Sequence, residues 1–123
     1  MTKEVVADDI KEFILAHIDS IAQLEALLLL RANPEKLWDA AEAARRLYIS
    51  ESDGQEILAR LGAEGLVSGD SNAYRYSPGT EKALIDRLAE AYARHLIPIT
   101  NIIHQRPSRI REFADAFKLK KER

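Results

Sequence analysis

Apolar residues recur at spacings of three and four through most of this chain and alternate only once. Val6, Ile10, Phe13, Ile14, His17 and Ile18 share one face and predict a helix over residues 4–18. The acidic residues in its first half suit the positive end of the helix dipole. Ile21, Leu24, Leu27 and Leu28 predict a second helix, starting at Asp19 or Ser20 and ended by Asn33-Pro34. Leu29 and Leu30 widen its stripe until it is apolar on most sides, as a central core helix is. Asp39 and Glu42 then form a capping box. Ala40, Ala43, Ala44 and Leu47 make a thin stripe whose small residues admit a close neighbour. Tyr48-Ile49-Ser50 breaks the period. Ser52 with Gln55 opens the next helix, which carries Ile57, Leu58 and Leu61. Gly65 ends it in the left-handed conformation, with Leu66 packing back. Leu66-Val67-Ser68 and Ala73-Tyr74-Arg75-Tyr76 flank the turn residues Gly69-Asp70-Ser71-Asn72 and predict a hairpin. Trp38 fits a short strand beside that hairpin, and its lone indole reads as a core wedge.

Beyond the hairpin, Thr80 is positioned to cap a long helix with Glu81 in its first turn. Leu84, Leu88, Ala91, Tyr92, His95, Leu96 and Ile99 form its stripe, continued by Ile102 and Ile103. Pro98 falls inside and should kink this element or split it. The stripe extends beyond the compact unit, so a partner subunit is its natural cover. Ser108 can cap a last helix carrying Ile110, Phe113, Ala114 and Phe117, too short to stand alone. It would dock on its own core, on a dimer mate or on another protein. Lys118, Lys120, Lys121 and Arg123 end the chain as a basic tail, solvated, on phosphate or at a membrane surface.

The run Leu24 to Leu30, the segment DAAEAARRLYIS, the segment ILARLGAEGLV and the exit YRYSP together resemble the winged helix-turn-helix of bacterial transcription regulators of the MarR and PadR kind. The resemblance spans roughly residues 20–80. It implies a mainly α fold with a short β-hairpin wing, flanked by N-terminal and C-terminal helices for dimerisation. It also implies double-stranded DNA binding as a homodimer, with the helix over residues 52–64 in the major groove and the wing near the backbone. On that reading Gln55 is the candidate for adenine, Ser52 for either base, and Arg45, Arg46, Arg60 and Arg75 for phosphates. Structural readings stand beside these. Arg45 and Arg46 also suit a helix C-terminus, and Arg75 is equally an exposed strand residue. The dimer interface would use Leu88, Tyr92, Leu96, Ile99 and Ile103.

Composition sharpens this picture and strains it. A length of 123 residues fits one domain: a core over 20–80, a dimerisation helix over 80–106, and an amphipathic helix with basic tail over 107–123. No cysteine is present, so disulfide and thiol chemistry are excluded. The opening MTKEVVADDIKEF is polar where a secretory leader is apolar, and Ala26 to Leu30 is too short to span a bilayer. The expectation is a soluble cytoplasmic protein with no membrane contact. Net charge is −2. Residues 106–123 hold seven Lys or Arg against three Asp or Glu, whereas residues 1–105 hold eleven against seventeen. A DNA-binding domain normally shows a basic face. Moreover, Glu51, Asp53 and Glu56 would point at a polyanion, unless they serve only the helix N-terminus.

A rival reading therefore keeps the fold and assigns it to protein interaction, with Ile110, Phe113 and Phe117 as the partner-binding residues. Enzyme chemistry is not expected. His17, His95 and His104 lack metal-ligand spacing, and Asp86 with Glu90 reads as a charged face beside Arg87 and Arg94. His17 reads as a partly buried histidine with a local hydrogen bond. No cofactor or metal is implied.

Overall fold

A computed structural model describes residues 6–70 and 72–105. The fold is mainly α with one small antiparallel sheet. The element order is α1 (Asp8–His17), α2 (Ile21–Ala32), α3 (Ala40–Leu47), α4 (Glu51–Ala63), β1 (Val67–Gly69), β2 (Tyr74–Tyr76), a 3₁₀ turn (Gly79–Glu81) and α5 (Lys82–Arg94). Residues 96–105 form a further helix, α6. The final amphipathic segment with Ile110, Phe113 and Phe117, and the basic tail, lie outside the described residues.

The first bend is fixed by a buried glutamine. α1 and α2 meet at 107°. Ser20 caps α2 by accepting from the Gln23 backbone N–H at 3.1 Å. The Gln23 side chain, 1% exposed, accepts from the Asp19 N–H at 2.7 Å and donates to the His17 carbonyl at 2.9 Å. Its amide thus serves backbone groups that the bend leaves without helical partners. No single helix among the described residues is long and apolar enough to cross a membrane.

α3 and α4 pack closely because both present small residues. Asp39 caps α3 through the Glu42 N–H at 2.8 Å. Only half of the expected box forms, since the Glu42 carboxylate turns to Lys36 at 2.8 Å. Gly54 is buried in α4, and a Cβ there would come within 2.9 Å of the Ala40 carbonyl oxygen and 3.2 Å of the Ala44 Cβ. The cap of α4 is Ser50, which accepts from the Asp53 N–H at 3.0 Å, and not Ser52. Tyr48 takes φ 60° and turns the chain out of α3 at once, so the cap of the next helix falls two residues before the expected one.

α4 ends as the Gly65-Leu66 pair predicts. Gly65 has φ 79° and donates to the Gly62 carbonyl, while Leu66 donates to the Leu61 carbonyl. The strands pair Val67 with Tyr76, Ser68 with Arg75, and Gly69 with Tyr74. Trp38 adds an antiparallel bridge to Tyr74, exchanging hydrogen bonds of 2.8 and 2.9 Å. It is 0% exposed, the wedge that its solitary aromatic ring predicts. The Tyr74 ring lies over Gly62 of α4, where an added Cβ would meet its Cε2 at 3.3 Å.

The C-terminal half departs from expectation at the start of α5 and in what covers its stripe, while the split expected from Pro98 is found. Thr80 does not cap α5; the chain enters through the 3₁₀ turn, with no side-chain cap. The long helix is broken at His95, three residues before Pro98. Pro98 then falls in the first turn of α6, where its missing N–H has no intrahelical acceptor to lose. Finally, Leu88, Ile99 and Ile103 are 0% exposed within the chain's own core. The stripe assigned to a partner subunit is largely covered by the chain itself. α1 packs on α5, and Arg87 clamps Asp9 with bonds of 2.6 and 3.0 Å.

Candidate nucleic-acid interface

The α3–turn–α4 unit with its hairpin presents the sequence-predicted site residues on its surface. Arg45, Arg46, Ser52, Arg60 and Arg75 are exposed, and Gln55 is half-buried. Their environments divide them. Arg45, in the last turn of α3, and Arg75, on the outer face of β2, make no ion pair among the described residues. Arg46 sits over the Trp38 ring, 5.6 Å from its centre, with Lys36 at 4.8 Å. Part of its guanidinium surface is therefore committed to covering the indole.

Arg60 is drawn away from a phosphate role. It bonds to Asp19 at the α1–α2 bend and lies 3.9 Å from Glu56. One turn on, Glu64 accepts from or pairs with His17 Nδ1 at 2.5 Å. The hydrogen bond expected locally for His17 is instead made to a residue 47 positions away. These two pairs fasten the C-terminal half of α4 to the body and leave its N-terminal half facing out.

That outward half is acidic. Glu51, Asp53 and Glu56 are exposed beside Ser52. Asp53 also supplies the N–H that Ser50 caps, Glu51 and Asp53 lie in the first turn at the positive end of the helix, and Glu56 lies beyond it, 3.9 Å from Arg60. These facts give them a structural reason to be there. Tyr48 was not singled out from the sequence. It is 94% exposed in the left-handed region at the α3–α4 turn. Such a backbone costs a non-glycine residue about 1 kcal/mol or more. No residue type in Tyr48-Ile49-Ser50 signalled which position would take it.

The expected dimer residues also divide. Leu88, Ile99 and Ile103 are core. Tyr92 is half-buried, and its hydroxyl donates to Glu25 of α2 at 2.8 Å. Burial, and then that carboxylate, push its ionisation up to about 12. Leu96 remains 49% exposed, and its neighbour Ile97, not expected in this role, is 64% exposed.

No family model matches the chain, and none of the curated proteins matches its sequence. Among solved structures, it is similar to the crystal structure of Rv1404 from Mycobacterium tuberculosis. The TM-score is 0.50 at 18% identity, covering 93% of this chain and 81% of that one. At that identity the likeness bears on the fold alone.

Proposed function

We propose that this chain is a winged-helix DNA-binding regulator that acts as a homodimer. α2, α3 and α4 would form the helical core, β1–β2 the wing, and the Trp38 bridge its third strand. The observation that carries the reading is the exposed start of α4, Glu51 to Asp53, on a unit that also exposes Arg45 and Arg75, neither of them in an ion pair among the described residues. A helix so placed can enter a major groove with Ser52 and Gln55 toward base edges while Arg45 and Arg75 meet phosphates. Arg60 drops out of the contact set because Asp19 holds it. The dimer face would centre on Leu96 and Ile97, the large apolar side chains left exposed at the start of α6.

The second reading, a winged-helix adaptor with little DNA binding, draws on the three exposed carboxylates of α4. Fluorescence anisotropy on a pool of genomic DNA fragments across a salt series separates the two. A regulator binds at low salt and weakens steeply as salt rises. Arg45→Ala and Arg75→Ala should each lower the slope of log affinity against log salt by about one. Absence of binding at low salt would sink the regulator and leave the adaptor.

A further inference from the structure

The α3–α4 turn carries a side chain that the fold does not use. Tyr48 is the C-terminal cap of α3, with φ 60° and ψ 44°. Its N–H and that of Ile49 both donate to the Ala44 carbonyl, the Ile49 bond at 3.0 Å. This pattern closes a helix on a left-handed residue, a conformation that glycine takes without steric penalty. Elsewhere among the described residues, every positive φ belongs to a glycine. A tyrosine here strains the turn, and a packing contact could offset that strain. The ring is exposed, however, and no hydrogen bond, ion pair or ring contact among the described residues involves it.

The surroundings say what such a ring faces. Arg45, three residues earlier in the last turn of α3, is exposed and makes no ion pair among the described residues. Ser50, two residues later, caps α4, so Tyr48 stands at the edge of the exposed run Glu51 to Asp53. Carboxylates there repel a phosphate. A backbone contact at this corner therefore needs a neutral donor that extends past them. A phenol meets that need: it is longer than a glutamate side chain, carries no charge, and has two side-chain torsions to immobilise. Tyrosine hydroxyls are among the groups that fix a protein on the sugar–phosphate chain without reading bases.

We propose that Tyr48 is a DNA-positioning residue. Its hydroxyl donates to a backbone phosphate beside the groove that α4 enters, and so sets the register of the helix start. This rests on the DNA-binding reading above and gives Tyr48 no base preference.

The test is fluorescence anisotropy of the full chain on a tightly bound fragment from the genomic pool, with the salt series repeated for Tyr48→Phe and Tyr48→Gly. Tyr48→Phe keeps the ring and removes the donor. It should weaken binding about tenfold or more, the worth of a hydrogen bond to a charged group. Tyr48→Gly should weaken it at least as much, with a melting temperature equal to or above that of the wild type, because glycine relieves the turn. Both variants should keep the slope of log affinity against log salt, since no charge is lost, whereas Arg45→Ala lowers it. Wild-type protein that binds no fragment at low salt removes the DNA reading and this contact with it. Wild-type binding that both Tyr48 variants leave unchanged overturns the Tyr48 contact alone; if Tyr48→Gly then loses a protein partner in a pull-down, the ring belongs to that partner. Weakening by Tyr48→Gly alone overturns the phosphate bond, because the ring and not the hydroxyl would be in contact. A Tyr48→Gly melting temperature well below the wild type also overturns the proposal, because the side chain would then serve the fold.

Discussion

Two helix pairs in this molecule are built on opposite principles. α3 and α4 are consecutive, joined by a tight turn, and meet through Ala40, Ala44 and Gly54 with backbone nearly touching side chain. α1 and α5 lie 78 residues apart at the Asp9–Arg87 clamp and bury large side chains in one shared core, Ile10, Phe13 and Ile14 from one helix and Ile85 and Leu88 from the other. The first contact tolerates no added volume and costs little chain entropy to close. The second depends on volume being present, and closes only when the whole chain has folded back. Overfilling should thus damage the first pair, and truncation the second.

Truncation should have the larger effect. Phe13→Ala is expected to lower stability by about 3–4 kcal/mol, read from urea denaturation at neutral pH. It should also raise binding of an apolar dye, because the buried cluster to which Phe13 belongs is opened. Next comes overfilling: Gly54→Leu should cost about 2–3 kcal/mol, because the Ala40 carbonyl is backbone and cannot step aside. Gly54→Ala should cost less, since its gain in helix propensity of about 1 kcal/mol offsets part of the clash. If Gly54→Leu proved neutral, the close contact would not be what sets the α3–α4 geometry.

Smaller effects sharpen the contrast at the edges of each pair. Ser50→Ala should cost about 1 kcal/mol and Ser52→Ala close to nothing, by the same denaturation assay. The reverse order would return the cap to Ser52. Least of all is the clamp. A hydrogen bond from Arg87 is the main cause holding the Asp9 carboxyl below its ordinary value of 3.8. A lowered folded value means a stabilisation present above the ordinary range and lost as pH falls through the lowered one. Asp9→Asn should therefore lower the melting temperature slightly at neutral pH and low salt, with the difference vanishing in acid and in high salt.

The same contrast explains how far the sequence carried. Local features were legible: the Asp39 cap, a helix start at Asp19 or Ser20, the alanine face of α3 and the Gly65 stop each depend on neighbours a few positions away. Ser50 and Ser52 could not be told apart, because the choice rests on Tyr48 adopting a left-handed turn that no glycine announces. The cover over Leu88, Ile99 and Ile103 was illegible for another reason. An apolar stripe shows that something must lie on it, and its sequence does not say whether that is the same chain. Arg60 reads as a free cation until Asp19, 41 residues earlier, is placed beside it.

Trp38 is the sole indole in the chain. It is shut away from water beneath Lys36 and Arg46, with its backbone tied to Tyr74. Its emission therefore comes from one known corner, where the hairpin meets α3. A red shift on adding a ligand would mean that this corner had opened, so the protein carries its own optical gauge of any coupling between its surfaces.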